Sequence, residues 1–198
     1  MNRLVIIGAG GHARVAADIA KSKYDEIIFL DDNSKIDGIS GPISDFEKYD
    51  ESVFFVAIGN NKIREMLFEK VEAAGKEIIS LISNQAIIGS NVMFDKGVIV
   101  MPGVVINTGT IICKGAIINT SSSVDHDCVI GEFSHISVGS HLAGTVKIGR
   151  RVMVGAGTVV INNLSITSDA IIGAGSTVLK DITEKGTYVG TPASVIRK

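Results

Sequence analysis

Tryptophan is absent from this sequence, and phenylalanine and tyrosine are scarce. Low aromatic content fits a coil-and-turn architecture better than a conventional core. Cysteine is limited to Cys113 and Cys128, too few for a disulfide framework. There is no surplus of base: 19 Lys and Arg stand against 21 Asp and Glu, so nothing electrostatic argues for a nucleic-acid partner. No apolar run reaches the length of a membrane span, and no membrane insertion is expected. Only four aliphatic residues, Leu4 to Ile7, separate the opening Met-Asn-Arg from the first glycine. That is too short for a signal-peptide core, so a cytoplasmic location is the simplest expectation.

Glycine, by contrast, is abundant, and the second half of the chain has a period. Every sixth residue from Ile82 to Val178 is apolar, and all but Phe94 are aliphatic. The column four residues further on, from Ala86 to Ile182, holds only Ala, Val, Thr, Ser, Cys, Leu or Ile. Neither a helix period of 3.6 nor a strand period of 2 produces such columns. A hexapeptide repeat specifies a parallel β-helix, with three hexapeptides to each triangular coil. Cys128 falls on the small column and reads as a packed thiol. The segment Gly186 to Ala193 reads as a cap on the open end.

The first part reads differently. Apolar runs at residues 3–8, 27–32, 53–59 and 77–82 predict strands. A helix is expected over about 11–22, burying Val15, Ala16 and Ile19. A second is expected from an N-cap at Asn60 to about Ala74, with Gly75 ending it. Alternating β and α elements predict a small parallel sheet. The expected domains are a Rossmann-like one over residues 1–82 and a β-helix over 83–198.

Gly8-Ala9-Gly10-Gly11-His12-Ala13 follows a strand and opens a helix, and Asp31 and Asp32 end the next strand. Glycines there let phosphate oxygens approach N–H groups at a helix N-terminus, and the acids can take ribose hydroxyls. A dinucleotide, another nucleotide diphosphate and a purely structural turn all satisfy the pattern. His12 could cap the helix or meet phosphate. Arg64 could meet a phosphate or lie on a solvated helix face.

Residues 119–149, NTSSSVDHDCVIGEFSHISVGSHLAGTVKIG, together with the ending Gly190-Thr191-Pro192-Ala193, resemble the bacterial sugar O- and N-acyltransferases of hexapeptide type. The resemblance covers the whole chain and is closest to the enzymes that acetylate UDP-linked 4-amino sugars, the UDP-N-acetylbacillosamine-forming type. Sialic acid O-acetyltransferases are relatives. It implies a left-handed β-helix, a homotrimer, acetyl-CoA as co-substrate and a nucleotide-linked amino sugar as acceptor. It implies His126 as catalytic base and Asp127 as its supporting acid, where the family often has Glu. His135, Gly144, Gly155 and Ala156 match cofactor positions, and the C-terminal cap would lie near the CoA adenine. Gly10, Gly11, His12, Asp31, Asp32, Gly59 and, beside it, Asn60 match the nucleotide-sugar side.

The chemistry agrees with that pattern. An amine attacking a thioester sheds a proton, and a histidine titrating near neutrality can take it. His126 precedes Gly144 by one coil, so strand spacing puts their backbones about 5 Å apart. A base and an oxyanion-binding N–H could then serve one substrate. The expected reaction is acetyl transfer to the 4-amino group of a UDP-sugar. A GDP-linked perosamine-type sugar and sialic acid O-acetylation are the alternatives. Other classes are a zinc enzyme like the γ-type carbonic anhydrases and a non-catalytic nucleotide-binding solenoid. The spacing of His126, His135 and His141 does not suit zinc, so no metal is expected. His141, Asn119 and Asn162 are read as surface or turn residues.

Overall fold

The computed structural model describes residues 2–196. The chain divides into two compact units, Met1–Leu81 and Ile82–Lys198.

The first unit is a small α/β sheet. It runs β1 (Arg3–Ile7), α1 (Gly11–Ala20), β2 (Glu26–Leu30), a 3-10 helix (Ile43–Lys48), β3 (Val53–Val56), α2 (Asn61–Ala73) and β4 (Glu77–Ile78). The strand order is β2-β1-β3-β4 and every pair is parallel. Leu4, Val5, Ile6 and Ile7 are all fully buried, as an uninterrupted aliphatic run at the centre of a parallel sheet requires. Helix α1 turns alanines to the sheet: Ala13, Ala16 and Ala20 are buried, while Val15 and Ile19 are only half-buried. The run 77–82, read as one strand, is two. Glu77–Ile78 pairs in the α/β sheet, and Leu81–Ile82 is the first strand of the solenoid.

The second unit is a parallel β-solenoid of two-residue strands on three faces. The first face carries Ile87–Ile88, Val105–Ile106, Ser123–Val124, His141–Leu142, Val159–Val160 and Thr177–Val178. The second runs from Met93–Phe94 to Ser165–Ile166. The third runs from Leu81–Ile82 through His135–Ile136 to Ile171–Ile172, then Thr187–Val189 and an antiparallel Ser194–Val195. Pairing in register joins residues 18 apart, such as Ser123 to His141 and His141 to Val159. The second residue of each strand is the six-residue column, and it faces inward: Ile106, Ile112, Ile118, Val124, Ile130 and Ile136 are fully buried. Each contributes about 1.5–3 kcal/mol of hydrophobic stabilisation.

The small column does more than fill space. Thr110 Oγ1 donates to the Asp125 carbonyl at 2.8 Å, Ser134 Oγ to Gly149 at 2.6 Å and Ser140 Oγ to Gly155 at 2.8 Å. The first two satisfy carbonyls that the backbone ladder leaves over, while the Gly155 carbonyl also accepts from Thr158 N at 3.2 Å. The Cys128 thiol is buried, donates to the Ala143 carbonyl at 3.3 Å, and is pushed up to about 11 by burial.

A third column makes the corners. Every sixth residue from Asn91 to Gly175 has a positive φ. Glycine, Asn and Asp hold most of these positions, as the left-handed region favours; Asp127 is among them, with φ 57°.

The outward positions, the first residue of each two-residue strand, are not uniform. Val105, Ile111 and Met153 are half-buried, but Ile117 is 1% exposed. The most exposed large apolar side chains described in the solenoid are instead Ile87 at 67% and Met93 at 56%.

Candidate active site

His126 stands at the corner between the first and second faces, with about half of its side chain exposed. Its Nδ1 lies 2.8 Å from Asp127 Oδ2. A carboxylate only accepts, so the proton sits on Nδ1 and the Nε2 lone pair is left for a substrate. Neighbouring side chains in an extended strand point apart. Here the left-handed backbone of Asp127 folds its carboxylate back onto the imidazole, the arrangement the sequence alone leaves uncertain. The hydrogen bond to Asp127, with Asp125 adding charge, raises the His126 pKa.

Two glycines one coil away make room for the dyad. A Cβ on Gly144 would stand 2.5 Å from His126 Nε2, and one on Gly109 2.5 Å from Asp127 Oδ1. Thr145 N donates to the His126 carbonyl at 2.8 Å, which fixes the register of the two coils. The Gly144 N–H makes no hydrogen bond to the described residues. Corner amides at this position of the repeat are passed over by the interstrand ladder. Elsewhere a side chain takes them: Asp125 Oδ1 accepts from His126 N at 2.8 Å. Ala143, before Gly144, offers no such oxygen.

A groove of about 390 Å³ opens beside this corner on the first face. Its walls are aliphatic, from Val105, Leu142, Ala143, Val159 and Ile161, with Asn107, Asp125 and Asn162 at the corner end. His141 also lines it and pairs through Nδ1 with Ser123 Oγ at 2.9 Å. A largely apolar groove lined at one end by Asp125, the residue before the base, suits a flexible thioester arm. Asn107 and Asp125 escaped the sequence reading; their 18-residue separation, one coil, was the available signal.

The other expected cofactor residues are not gathered with His126 within the solenoid. His135 begins a strand of the third face, is 8% exposed, and pairs through Nε2 with Asn119 Nδ2 at 2.9 Å. Gly155 backs onto the next coil, where a Cβ would stand 2.6 Å from Ala174 N. Ala156 beside it is exposed at the corner between the third and first faces. Among the described residues no three His, Cys, Asp or Glu side chains come together as metal ligands would.

The α/β unit holds its own cluster. Gly10 is the N-cap of α1 without a side-chain cap, Gly11 starts the helix, and no atom would meet a Cβ on Gly10. His12 therefore lies in the first turn and does not cap. Burial, with Arg64 nearby, pulls it down to about 4, so it is neutral at pH 7 and cannot meet phosphate as a cation. Its Nε2 is buried with no hydrogen-bond partner among the described residues, a polar atom left for a ligand or water.

Arg64 is on no solvated face. It is 1% exposed, and its guanidinium donates to the carbonyls of Ile58 at 2.9 Å and Gly59 at 3.2 Å and to Asn61 Oδ1 at 2.9 Å. Burial lowers it to about 9, so it stays charged at pH 7. Asp31 turns both oxygens to backbone amides, Oδ2 to Ala9 N and Oδ1 to Asn33 N, each at 2.8 Å. Asp32 gives Oδ1 to Ile43 N at 2.9 Å and is exposed, so it is the freer of the two for a ligand hydroxyl.

Gly59 is exposed and open. Asn60 Oδ1 accepts from both Lys62 N and Ile63 N at 3.1 Å, which makes it first of all a helix cap. Asn60→Ala is expected to cost about 1 kcal/mol of stability, and Asn60→Asp to retain most of it. Urea denaturation of both variants is the measurement.

A parallel solenoid with an exposed His–carboxylate dyad above an apolar groove defines an acyltransferase of hexapeptide type. Residues 3–71 match the model of the PglD N-terminal domain, and residues 127–162 that of the bacterial transferase hexapeptide (six repeats). GDP-perosamine N-acetyltransferase of Escherichia coli O157:H7 is 30% identical over 173 residues, 81% of this chain and 78% of that protein. UDP-N-acetylbacillosamine N-acetyltransferase of Bacillus subtilis is 30% identical over 112 residues, 51% of this chain and 52% of that one. Two solved structures superpose on nearly the whole chain. The acetyltransferase domain of PglB from Neisseria gonorrhoeae, in complex with acetyl coenzyme A, is 34% identical, covers 99% of this chain and 100% of its own, and has a TM-score of 0.95. PerB from Caulobacter crescentus, in complex with CoA and GDP-perosamine, is 33% identical, covers 100% and 98%, and has a TM-score of 0.95. The chain belongs to the hexapeptide-repeat acetyltransferase family that acts on nucleotide-linked amino sugars.

Proposed function

We propose that this enzyme transfers the acetyl group of acetyl-CoA to the amino group of a GDP-linked sugar of the perosamine type. The observation that carries acetyl transfer is the dyad itself: a histidine with its proton held on Nδ1 by Asp127, and Nε2 open beneath Gly144. The amine lone pair attacks the thioester carbonyl carbon, and the C–N bond forms. His126 Nε2 takes the proton that nitrogen must lose. The free Gly144 N–H is suited to stabilise the tetrahedral oxyanion. The C–S bond then breaks, and the sulfur leaves as CoA thiol after receiving a proton from the imidazolium. No covalent enzyme intermediate is required; Cys128 is a buried, protonated thiol that takes no part. The groove on the first face fits the pantetheine arm.

The nucleotide is the finer point. The sequence reading favours UDP. The GDP-perosamine N-acetyltransferase aligns with 81% of this chain, whereas the UDP-N-acetylbacillosamine N-acetyltransferase aligns with 51%. GDP is therefore the better-supported reading and UDP the second. The nucleotide sugar is assigned to the α/β unit, at the Gly10-Gly11 helix end, neutral His12, Asp32 and Gly59. GDP-perosamine is expected to raise the Tm by several degrees and to be acetylated, with a UDP-4-amino sugar giving the smaller shift and rate. The reverse order sinks the GDP reading while leaving acetyl transfer intact.

A homotrimer is part of the same proposal. Ile87, Met93, Val159 and Ile161 are exposed aliphatics on or beside the first two faces, and closed packing would bury them. In such an assembly a neighbour's residues could complete a groove that one chain forms only in part.

A further inference from the structure

Asp125 lies beside the catalytic base and lines the groove, and the reaction as derived uses its charge only to help raise the His126 pKa. Its Oδ1 is committed. It accepts from Asn107 Nδ2 at 2.7 Å, one coil away, and from the His126 N–H at 2.8 Å. Its Oδ2 makes no hydrogen bond among the described residues, and the side chain lines the groove. The two donors on Oδ1 keep the carboxylate ionised, with a pKa below the ordinary range. One oxygen is thus anchored and the other is offered to whatever arrives at the corner.

The acceptor's chemistry supplies a partner. Aliphatic amines are largely protonated at neutral pH, so an amino sugar reaches the enzyme mainly as an ammonium ion. A hydroxyl acceptor carries no such charge. We propose that Asp125 Oδ2 receives the ammonium group of the acceptor beside His126 and is what makes the site select an amine over a hydroxyl. The inference rests on the amino-sugar reading given above. The docked ammonium gives its extra proton to solvent at the exposed mouth of the groove, leaving the neutral amine in place for attack. Asp127 is not placed for this role: its Oδ2 is engaged by the imidazole, its Oδ1 lies close against Gly109, and its side chain does not line the groove.

The test uses the full-length enzyme with GDP-perosamine, acetyl-CoA, and the GDP-sugar carrying a hydroxyl at the amine-bearing carbon. Asp125→Asn keeps an oxygen for Asn107 and for the His126 N–H and removes only the charge. It is expected to raise the acceptor KM about tenfold to a hundredfold, the range of a charge-assisted hydrogen bond. The KM for acetyl-CoA should stay within about twofold. Wild-type enzyme should bind the hydroxyl analogue more weakly than the amine by a similar factor, and Asp125→Asn should bind the two alike. Asp125→Glu, which restores the charge, should recover part of the preference. A variant that keeps the wild-type preference, or one that lowers kcat alone, overturns the inference and leaves acetyl transfer standing. Wild-type enzyme that acetylates no nucleotide-linked amine overturns the acceptor reading and this inference together.

Discussion

His126→Ala should lower kcat by about 10²–10⁴-fold, the usual contribution of a general base, with the KM for acetyl-CoA little changed. The side chain is half exposed and carries no core contact, so circular dichroism and Tm should match the parent. The partner prediction concerns pH. The imidazole works as a base only when unprotonated, so kcat/KM rises as pH climbs through its pKa. Asp127 raises that pKa by holding the imidazolium. In Asp127→Asn the acid limb should therefore move to lower pH, towards the ordinary histidine value. The plateau should also fall, for two reasons. The base is weaker, and an amide can donate to Nδ1 as well as accept from it, so the proton is no longer confined away from Nε2. An acid limb that stays in place in Asp127→Asn would mean that another group titrates. A fully active His126→Ala would remove the imidazole from the mechanism.

The solenoid was legible because its signal is long and redundant. Every sixth residue from Ile82 to Val178 repeats the same demand for an inward aliphatic, and the inward face of each strand follows from it. The α/β sheet was legible for a related reason, since Leu4 to Ile7 and Val53 to Val56 are uninterrupted apolar runs. Where the chain passes from one sheet to the other the same logic fails. Residues 77–82 are apolar enough to read as one strand, and nothing in hydrophobicity marks that Ile78 and Leu81 pair in different sheets. His126 and Asp127 were found through resemblance, but their hydrogen bond depends on a backbone turn that only the corner column reveals. That column was present in the sequence as glycine, Asn and Asp three residues past each rung. It is noisier than the apolar columns, because Phe133, Thr145 and Arg151 also occupy it. Arg64 was ambiguous for the opposite reason: a charged residue in a helix normally reads as solvated. Burying it needs acceptors supplied by the Ile58 and Gly59 carbonyls, which no residue type announces. Asn107 and Asp125 were each unremarkable polar residues at a turn; only stacking of the coils makes them a pair.

Gly144→Ala should produce nearly as large a loss as removing the base, without touching either member of the dyad. Gly144 does not have a left-handed φ, so an alanine suits the backbone and stability should change by less than about 1 kcal/mol. The added carbon would stand 2.5 Å from His126 Nε2 and 2.7 Å from Cε1, well inside contact distance. The imidazole must swing away, and swinging strains or breaks its 2.8 Å bond to Asp127. A misplacement of about 1 Å at a reacting group costs roughly 10²-fold in rate, and that is the expected fall in kcat. The Gly144 N–H survives the substitution, so the loss is assigned to the base and not to oxyanion stabilisation. Gly109→Ala provides the contrast. There the new carbon would stand 2.5 Å from Asp127 Oδ1, but the residue has φ +73°, so a stability loss of about 1–2 kcal/mol should accompany the drop in rate. The two variants together separate geometry from folding. Gly144→Ala with full kcat would show that Nε2 does not need the space beneath that coil. Gly144→Ala with a large fall in both Tm and kcat would show that the glycine serves the fold before it serves the site.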